Sequence, residues 1–326
     1  MGSVRHCLVT GANGFIGQRL VDLLLAQGYQ VRAVCRRQPV TIPRAVEVIS
    51  ADLHSAALCL DSLLEGIDTV FHLANTAHVS AFAGCYQADA EATARLAAAA
   101  SRAGVQRLVF ASSTKAMADQ GNIVADESFL AWPLEQQDPY GYWKRMAEER
   151  LLAGSVDLPH VAILRPVLVY GPGVKGNLRW MINAVRRGWF PALPGTGATR
   201  SMVSVGDVAR ALLLLAMHPS ANRQVFIAED GQAYSAADLQ AAIRLAFGRP
   251  PPAFRWPAWS FRLAGRVGDA ARLLWPSCPL CSAAVHSLLD PATYSADRLR
   301  GLGWEATSTF FKDLPGILAA CQGRDE

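Results

Sequence analysis

The sequence predicts an α/β fold, a doubly wound parallel sheet followed by a smaller C-terminal unit, and three observations support this prediction. Short β-branched runs alternate with helical patterns from residue 5 to residue 170. Several of these runs are continuously apolar, as strands buried on both faces of a parallel sheet are. Beyond residue 170, Gly and Pro cluster and strand signals become sparse. We therefore expect one domain at 1–169 and a cap domain at 170–326, with 198–228 returning to the main sheet.

The elements of the first half follow one another in a regular order. The helical stretch GQRLVDLLLAQG places Leu20 and Leu24 on one face and ends at Gly28, and EATARLAAAASRAG ends at Gly104. Sheets built in this way bind ligands at the carboxyl ends of their strands. The six predicted strands are RHCLVT, YQVRAVCR, AVEVIS, DTVFHLA, RLVFAS and HVAILRPVLVY.

Composition excludes several classes of protein. The chain has 326 residues, 51% of them hydrophobic, and a net charge of only +4 from scattered basic residues, so nucleic acid is not an expected partner. The longest apolar run, 211–217, is far short of the roughly 20 residues of a membrane span. Seven cysteines, an odd number, indicate reduced thiols and a cytoplasmic protein. We expect no metal, because the pair Cys278 and Cys281 has no second ligand pair.

The stretch TGANGFIG lies between the first strand and the first helix. Such a turn lets backbone N–H groups approach a pyrophosphate at a helix N-terminus, although a tight turn without a ligand is the simpler alternative. The spacing therefore predicts a dinucleotide site. Its candidate residues are Gly11, Asn13, Gly14, Phe15, Ile16 and Gly17.

The end of the second strand indicates which dinucleotide binds. An acidic residue here would accept a hydrogen bond from the adenosine ribose, but the chain has Cys35 followed by Arg36 and Arg37. Two guanidinium groups can neutralise a 2′-phosphate, although a pair of solvated side chains at a strand end is the simpler alternative. We therefore expect NADP(H) as the preferred cofactor, with NAD(H) as the alternative.

Three residues form the candidate catalytic set. Tyr140 and Lys144 are four positions apart in DPYGYWK, so a helix places the ammonium near the phenol oxygen, where it favours phenolate. The tyrosine can then exchange a proton with a carbinol oxygen during hydride transfer. Ser113 follows the strand RLVFAS and can orient the substrate oxygen, although Ser112 and Thr114 are neighbouring candidates.

These motifs together resemble the extended short-chain dehydrogenases/reductases, the NAD-dependent epimerase/dehydratase family. The resemblance implies a Rossmann-type sheet, a C-terminal substrate-binding domain and a homodimer formed through the 91–103 helix and the Tyr140 helix. It covers nearly the whole chain, since LRPVLVYGPG and RLRGLGWEATSTF also match. The further cofactor contacts that it implies, besides Tyr140 and Lys144, are Asp52, Leu53, Leu73, Ala74, Asn75 and Pro166.

The most similar subgroup acts at C4 of UDP-sugars used for surface polysaccharide. The resemblance implies that Asn177 and Arg200 hold the diphosphate of the UDP-sugar substrate. Lys115 can contact sugar or phosphate, although a surface lysine after a strand is the alternative. The candidate substrate contacts are Ser113, Thr114, Lys115, Tyr140, Asn177 and Arg200.

Departures from the family pattern favour one reaction. The 4,6-dehydratases have a Thr-Asp-Glu run where this chain has Ser113, Thr114 and Lys115, so dehydration is disfavoured. Leu168 replaces the asparagine of the 4-epimerases. We expect NADPH-dependent reduction of a UDP-4-keto-6-deoxy-N-acetylhexosamine. The alternatives are a UDP-glucose or UDP-N-acetylglucosamine 4-epimerase with bound NAD, a reductase of a non-sugar carbonyl, and an NADP sensor without turnover.

The segment PPAFRWPAWSFRLAGRVGDAARLLW combines aromatic residues with four arginines. A cap helix that closes over the substrate is the preferred interpretation. Peripheral contact with a membrane surface is the alternative.

Overall fold

The computed structural model describes residues 6–36, 42–76, 83–117, 123–129, 139–154, 157–252, 254–272 and 281–322. The strands are β1 (His6–Thr10), β2 (Gln30–Cys35), β3 (Glu47–Ser50), β4 (Thr69–His72), β5 (Arg107–Ala111), β6 (Val124–Ala125), β7 (His160–Pro166), β8 (Leu168–Tyr170), β9 (Thr199–Ser204), β10 (Gln224–Ala228), β11 (Ala233–Ser235) and β12 (Thr293–Tyr294). The α-helices are α1 (Phe15–Ala26), α2 (Leu60–Leu64), α3 (Ala83–Arg102), α4 (Pro139–Leu152), α5 (Gly176–Arg187), α6 (Val205–Met217), α7 (Ala236–Ala246), α8 (Ala258–Ala271), α9 (Ser282–Leu289), α10 (Asp297–Arg300) and α11 (Phe310–Gln322).

Seven parallel strands form the main sheet in the order β10-β7-β5-β4-β1-β2-β3. One apolar core joins the sheet to α1 and α6, and a second joins its other face to α2, α3 and α4. The prediction of a doubly wound Rossmann-type sheet is therefore confirmed. Strand order reverses between β1 and β4, so the carboxyl ends of these two strands form the crevice in which such sheets bind ligands.

The predicted strand HVAILRPVLVY is two strands in the structure. β7 ends at Pro166, where the ring nitrogen has no proton to continue the ladder. The next N–H, that of Val167, donates to Ala228 O at 3.2 Å. β8 then leaves the main sheet and pairs with β9.

One part of the expected return to the main sheet is wrong. Of the segment 198–228, β10 lies beside β7 in the main sheet, but β9 forms a separate three-stranded sheet with β8 and β11. The physical reason is that β10 already occupies the edge of β7, whereas β8 offers β9 an unpaired edge. A third apolar core, built from α5, α7 and α11, packs against this small sheet.

The LGW segment connects the C-terminal region to the main sheet. Trp304 is buried, and its indole N–H donates to Asp207 O at the start of α6 at 3.2 Å. The carboxylate of Asp207 accepts hydrogen bonds from the backbone N–H and the hydroxyl of Thr307, at 3.1 and 2.8 Å. The C-terminal segment is therefore held against α6, which itself packs on the sheet.

Candidate active site

The glycine turn brings α1 very close to the end of β1. A Cβ on Gly17 would lie 2.2 Å from Gly11 O, so only glycine permits this approach. Gly11 has a φ of +67°, and a Cβ there would lie 2.8 Å from Ala74 N after β4. Gly14 precedes the first helical residue, and no side chain caps the helix. The turn thus presents a helix N-terminus without acidic or capping side chains, which fits a dinucleotide pyrophosphate.

A buried chain of hydrogen bonds connects this turn to α3. Thr10 Oγ1 accepts from the backbone N–H groups of Leu73 and Ala74 at 3.1 and 3.2 Å, so its own proton is directed to His72 Nδ1 at 2.7 Å. His72 Nε2 then donates to Thr93 Oγ1 at 2.9 Å, and that hydroxyl donates to Asp89 O at 2.8 Å. Burial, together with the nearby charge of Lys144, lowers the pKa of His72 to about 3, which keeps the ring neutral.

Tyr140 and Lys144 lie together on α4, at the carboxyl end of β5. Lys144 is buried, and its ammonium donates to Ala111 O at 3.0 Å. The same nitrogen lies 6.0 Å from the centroid of the Tyr140 ring and 4.5 Å from that of Phe110. Burial lowers the pKa of Lys144 to about 8, while the charges of Asp89 and Glu148 oppose this shift.

The segment after β5 packs directly against the start of α4. A Cβ on Gly141 would lie 2.2 Å from Lys115 O, so the residue after Tyr140 must be glycine for this contact to form. Ser113 is half-buried, and its Oγ accepts from Lys115 N at 3.2 Å. Ser112 Oγ is buried and has no hydrogen-bond partner among the described residues. Of the two serines, Ser113 is therefore the more accessible, and Thr114 next to it is buried.

A buried ion pair positions α4 on the sheet. Arg165 of β7 donates to both carboxylate oxygens of Glu148, at 2.9 and 2.6 Å. Both side chains are almost completely buried, so the bidentate geometry determines where α4 lies along the strand. This pair sits one helical turn beyond Lys144.

Sequence reasoning missed the α3 side of the site. The helix begins at Ala83, eight residues before the predicted EATARL pattern, and its first turns carry Tyr86 and Asp89. The Tyr86 ring meets the Tyr140 ring edge-on at 5.6 Å. Asp89 accepts from Thr76 N and Oγ1 at 2.9 and 2.6 Å and contacts His54 Nε2 at 2.8 Å. The spacing of Tyr86, Asp89 and Thr93 by three and four positions is the sequence pattern that predicts a shared helical face here.

At the other end of the crevice lie the residues predicted to contact the adenosine. Arg36 follows β2 directly and is exposed, whereas Arg37 lies outside the described residues. Burial raises the pKa of the Cys35 thiol, and a hydrogen bond from the backbone N–H of Asn13 partly offsets this effect. Asp52 Oδ1 accepts from His54 N at 3.1 Å, and Leu53 is buried beside it.

The remaining predicted contacts are divided between two regions. Leu73, Ala74 and Asn75 follow β4 beside the glycine turn, and Pro166 is buried at the end of β7. Asn177 is exposed in the first turn of α5. Arg200 lies on β9, where its guanidinium donates to Asp290 O at 3.2 Å and burial lowers its pKa. The catalytic candidates and the glycine turn therefore lie at the carboxyl edge of the main sheet. Asn177 lies on α5, and Arg200 lies on β9 of the small sheet.

Metal clusters and membrane-spanning helices are both absent from the described ranges. No group of three or more His, Cys, Asp or Glu side chains there is arranged to hold a metal ion, and Cys278 lies outside those ranges. No described helix is long and apolar enough to cross a membrane.

Comparison with known proteins agrees with this geometry. The sequence model of the NAD dependent epimerase/dehydratase family matches residues 7–228. A UDP-glucose 4-epimerase of Vibrio cholerae is 30% identical over 272 residues, 81% of this chain and 82% of that protein. A 3 beta-hydroxysteroid dehydrogenase/Delta 5→4-isomerase of Mycobacterium tuberculosis (strain H37Rv) is 30% identical over 332 positions, 93% of this chain and 86% of that one.

A solved structure extends the similarity over the whole chain. The structure of MoeE5 in complex with UDP-glucose and NAD superposes with a TM-score of 0.76 at 28% identity, covering 98% of this chain and 100% of that one. The match of the family's sequence model spans the glycine turn, Ser113, Tyr140 and Lys144. The chain therefore belongs to the NAD-dependent epimerase/dehydratase family of extended short-chain dehydrogenases/reductases.

Proposed function

We propose that this protein reduces the C4 carbonyl of a UDP-4-keto-6-deoxy-N-acetylhexosamine with NADPH. The observation that carries the proposal is the pairing of Tyr140 with a buried Lys144 ammonium at the carboxyl edge of the sheet. A buried cation beside a phenol favours the phenolate, which makes the tyrosine a better acid and base near neutral pH.

The cofactor would lie across the glycine turn, with Gly11, Gly14 and Gly17 permitting the approach of its pyrophosphate. When bound in the reduced form, it supplies the hydride. Leu73, Ala74, Asn75 and Pro166 are the residues that we assign to the remaining length of the cofactor.

The protein's own residues handle the proton. Tyr140 Oη gives its proton to the carbonyl oxygen at C4, and the neighbouring Lys144 cation stabilises the phenolate that is left. Ser113 Oγ–H donates to the same carbonyl oxygen and holds it in place. The Arg165–Glu148 pair keeps α4, and therefore Tyr140, in position on the sheet.

A preference for NADP(H) rests on the end of β2. Arg36 is exposed there, next in sequence to Arg37, and a guanidinium can form charge-assisted hydrogen bonds with a 2′-phosphate. Cys35, at the position of the usual acidic residue, is a poor acceptor for a free 2′-hydroxyl. The family's name specifies NAD, so NAD(H) is the alternative cofactor.

Two basic side chains and one similarity support the substrate class. Arg200 and Lys115 supply positive charge for a diphosphate, and Asn177 supplies an amide in the first turn of α5. MoeE5 was solved in complex with UDP-glucose and NAD, which supports a UDP-sugar here. We assign the reaction to the synthesis of polysaccharide precursors in the cytoplasm. We expect the enzyme to act as a homodimer.

The 4-epimerase is the second candidate, because the Vibrio cholerae relative is a UDP-glucose 4-epimerase. A 4-epimerase needs the same serine, tyrosine and lysine, but it keeps its dinucleotide bound and consumes no NADPH. The steroid dehydrogenase relative supports the alternative of a non-sugar carbonyl substrate.

The test is NADPH oxidation by the purified protein with UDP-4-keto-6-deoxy-N-acetylglucosamine, with UDP as competitor. We expect one NADPH to be consumed for each keto-sugar reduced, and we expect UDP to inhibit this reaction. Tyr140→Phe should consume no NADPH. Absence of consumption together with release of NAD on denaturation would favour the epimerase, and consumption that UDP does not inhibit would favour a non-sugar substrate.

A further inference from the structure

Helix α8 carries a row of exposed apolar side chains. Trp259, Leu263 and Val267 lie at i, i+4 and i+8, so they share one side of the helix. Their exposed fractions are 65%, 53% and 62%, high values for large apolar side chains. We call this side of α8, from Trp259 to Val267, the α8 outer face.

The opposite side of α8 packs against α9. Gly265 and Gly268 are buried, and a Cβ on Gly265 would lie 3.1 Å from both Ser282 Cα and Val285 Cγ2 of α9. The lack of a side chain at this position therefore lets α8 lie closely on α9. Because the packing side is fixed against α9, the α8 outer face is turned away from the protein.

The segment that leads into α8 extends this exposed surface. Phe254 and Trp256 are 66% and 52% exposed, and their rings contact each other edge-on at 5.9 Å. An aromatic pair and a helical row of Trp, Leu and Val thus occupy 254–267, a stretch that the structure describes without a gap. Exposed apolar surface of this extent commonly marks a binding surface.

Charge on this surface is positive. Arg262 and Arg266 are exposed and lie along one side of the apolar row on the same helix, and Arg255 is exposed before the helix begins. Asp269 is the one acidic residue of α8, and its carboxylate accepts from Ser282 N at 3.1 Å, on the α9 side. Among the described residues, Asp290 pairs with Arg262, with 3.9 Å between its Oδ1 and Arg262 Nη2, and it also contacts His286.

We propose that the α8 outer face, with Phe254 and Trp256, docks the protein on an anionic membrane surface. Trp, Phe and Leu on one side of a helix, beside arginine, is the composition of helices that lie in the headgroup region. The arginines match the charge of anionic lipids. A second copy of the chain fits less well, because two copies of this face would bring arginines against arginines.

The test is co-sedimentation of the full-length protein with vesicles of phosphatidylcholine alone or mixed with phosphatidylglycerol. We expect binding only to the mixed vesicles, and weaker binding at about 1 M salt, where the Debye length falls from about 10 Å to about 3 Å. Arg262→Gln with Arg266→Gln should reduce the partition coefficient roughly 30-fold, since each basic residue near an anionic surface contributes about a fivefold factor.

Matched variants separate this face from the rest of the surface. Arg19→Gln with Arg102→Gln removes the same charge from two exposed arginines elsewhere, and should leave vesicle binding unchanged. Trp259→Ala should abolish binding, whereas Leu245→Ala, which shortens a similarly exposed apolar side chain on α7, should not. Circular dichroism and the thermal midpoint confirm that each variant is folded.

Three results would overturn the proposal. The first is that the wild-type protein does not bind the mixed vesicles, or binds both vesicle types equally. The second is equal weakening by the α8 and control variants. The third is a wild-type dimer in solution that Trp259→Ala converts to monomer without any change in vesicle binding, because this result would assign the face to a second copy.

Discussion

The buried Lys144 ammonium is expected to lower the free energy of unfolding of the protein. Burial lowers its pKa from 10.5 to about 8. Since one pKa unit corresponds to 1.36 kcal/mol, holding the cation in the folded state costs about 3 kcal/mol at neutral pH. Lys144→Met removes the charge at similar length but also removes the hydrogen bond to Ala111 O, worth about 1 kcal/mol. We therefore expect a variant about 2 kcal/mol more stable and without turnover.

Denaturant unfolding at several pH values measures this effect. Between pH 8 and about 10 the unfolded chain, with an ordinary lysine pKa near 10.4, binds more protons at this residue than the folded protein does. The stability contributed by this site in the wild type therefore rises with pH across that window. The contribution is absent in Lys144→Met, so the stability difference between the two proteins narrows as pH rises.

Lys312→Met is the matched control. Lys312 also donates to a backbone carbonyl, Thr307 O at 3.2 Å, but it is exposed, so its replacement should change stability by less than about 0.5 kcal/mol. The reasoning is refuted if Lys144→Met is destabilised relative to Lys312→Met at pH 7, or if its stability advantage grows between pH 8 and pH 10.

The other predictions concern proton transfer, cofactor choice and pH dependence. Tyr140→Phe should lower kcat by about 10²–10⁴-fold with NADPH still bound, and retained turnover would exclude Tyr140 as the proton donor. Arg36→Ala with Arg37→Ala should weaken NADPH binding by about 1.5–3 kcal/mol in titration calorimetry. An equal weakening of NADH binding would contradict contact with a 2′-phosphate. Because the charge of Asp89 raises the pKa of Lys144, Asp89→Asn should move the alkaline limb of the kcat/KM profile to lower pH. A move to higher pH would show that the two residues are not coupled in this way.

Local patterns were sufficient to predict the glycine turn and the shared helical face of Tyr140 and Lys144. The approach of Gly17 to Gly11 O lies within one strand, one turn and one helix. Tyr140 and Lys144 share a helical face because of their spacing alone. Five main-sheet strands, β1 to β5, correspond one to one to predicted strands, because each lies in a short β-branched or apolar run bounded by turns, whereas β7 was predicted as a single strand with β8.

Features that depend on distant parts of the chain were not accessible in this way. The pairing of β9 with β8 rather than β7 follows from β10 already occupying the sheet edge. The Thr10–His72–Thr93 chain joins two strands and a helix, and no spacing in the sequence connects these residues. Asp89 was not predicted because the expected helix began at Glu91, so two members of the Tyr86, Asp89 and Thr93 face lay outside it.

Transfer of deuterium tests the proposed reduction most directly. The purified protein is given UDP-4-keto-6-deoxy-N-acetylglucosamine and NADPH with both hydrogens at nicotinamide C4 replaced by deuterium, and the product is examined by NMR. The proposal predicts one deuterium at C4 of the sugar for each NADPH oxidised, in a single configuration. A sugar product without deuterium, or conversion of UDP-N-acetylglucosamine to its C4 epimer with no net oxidation of NADPH, would contradict it.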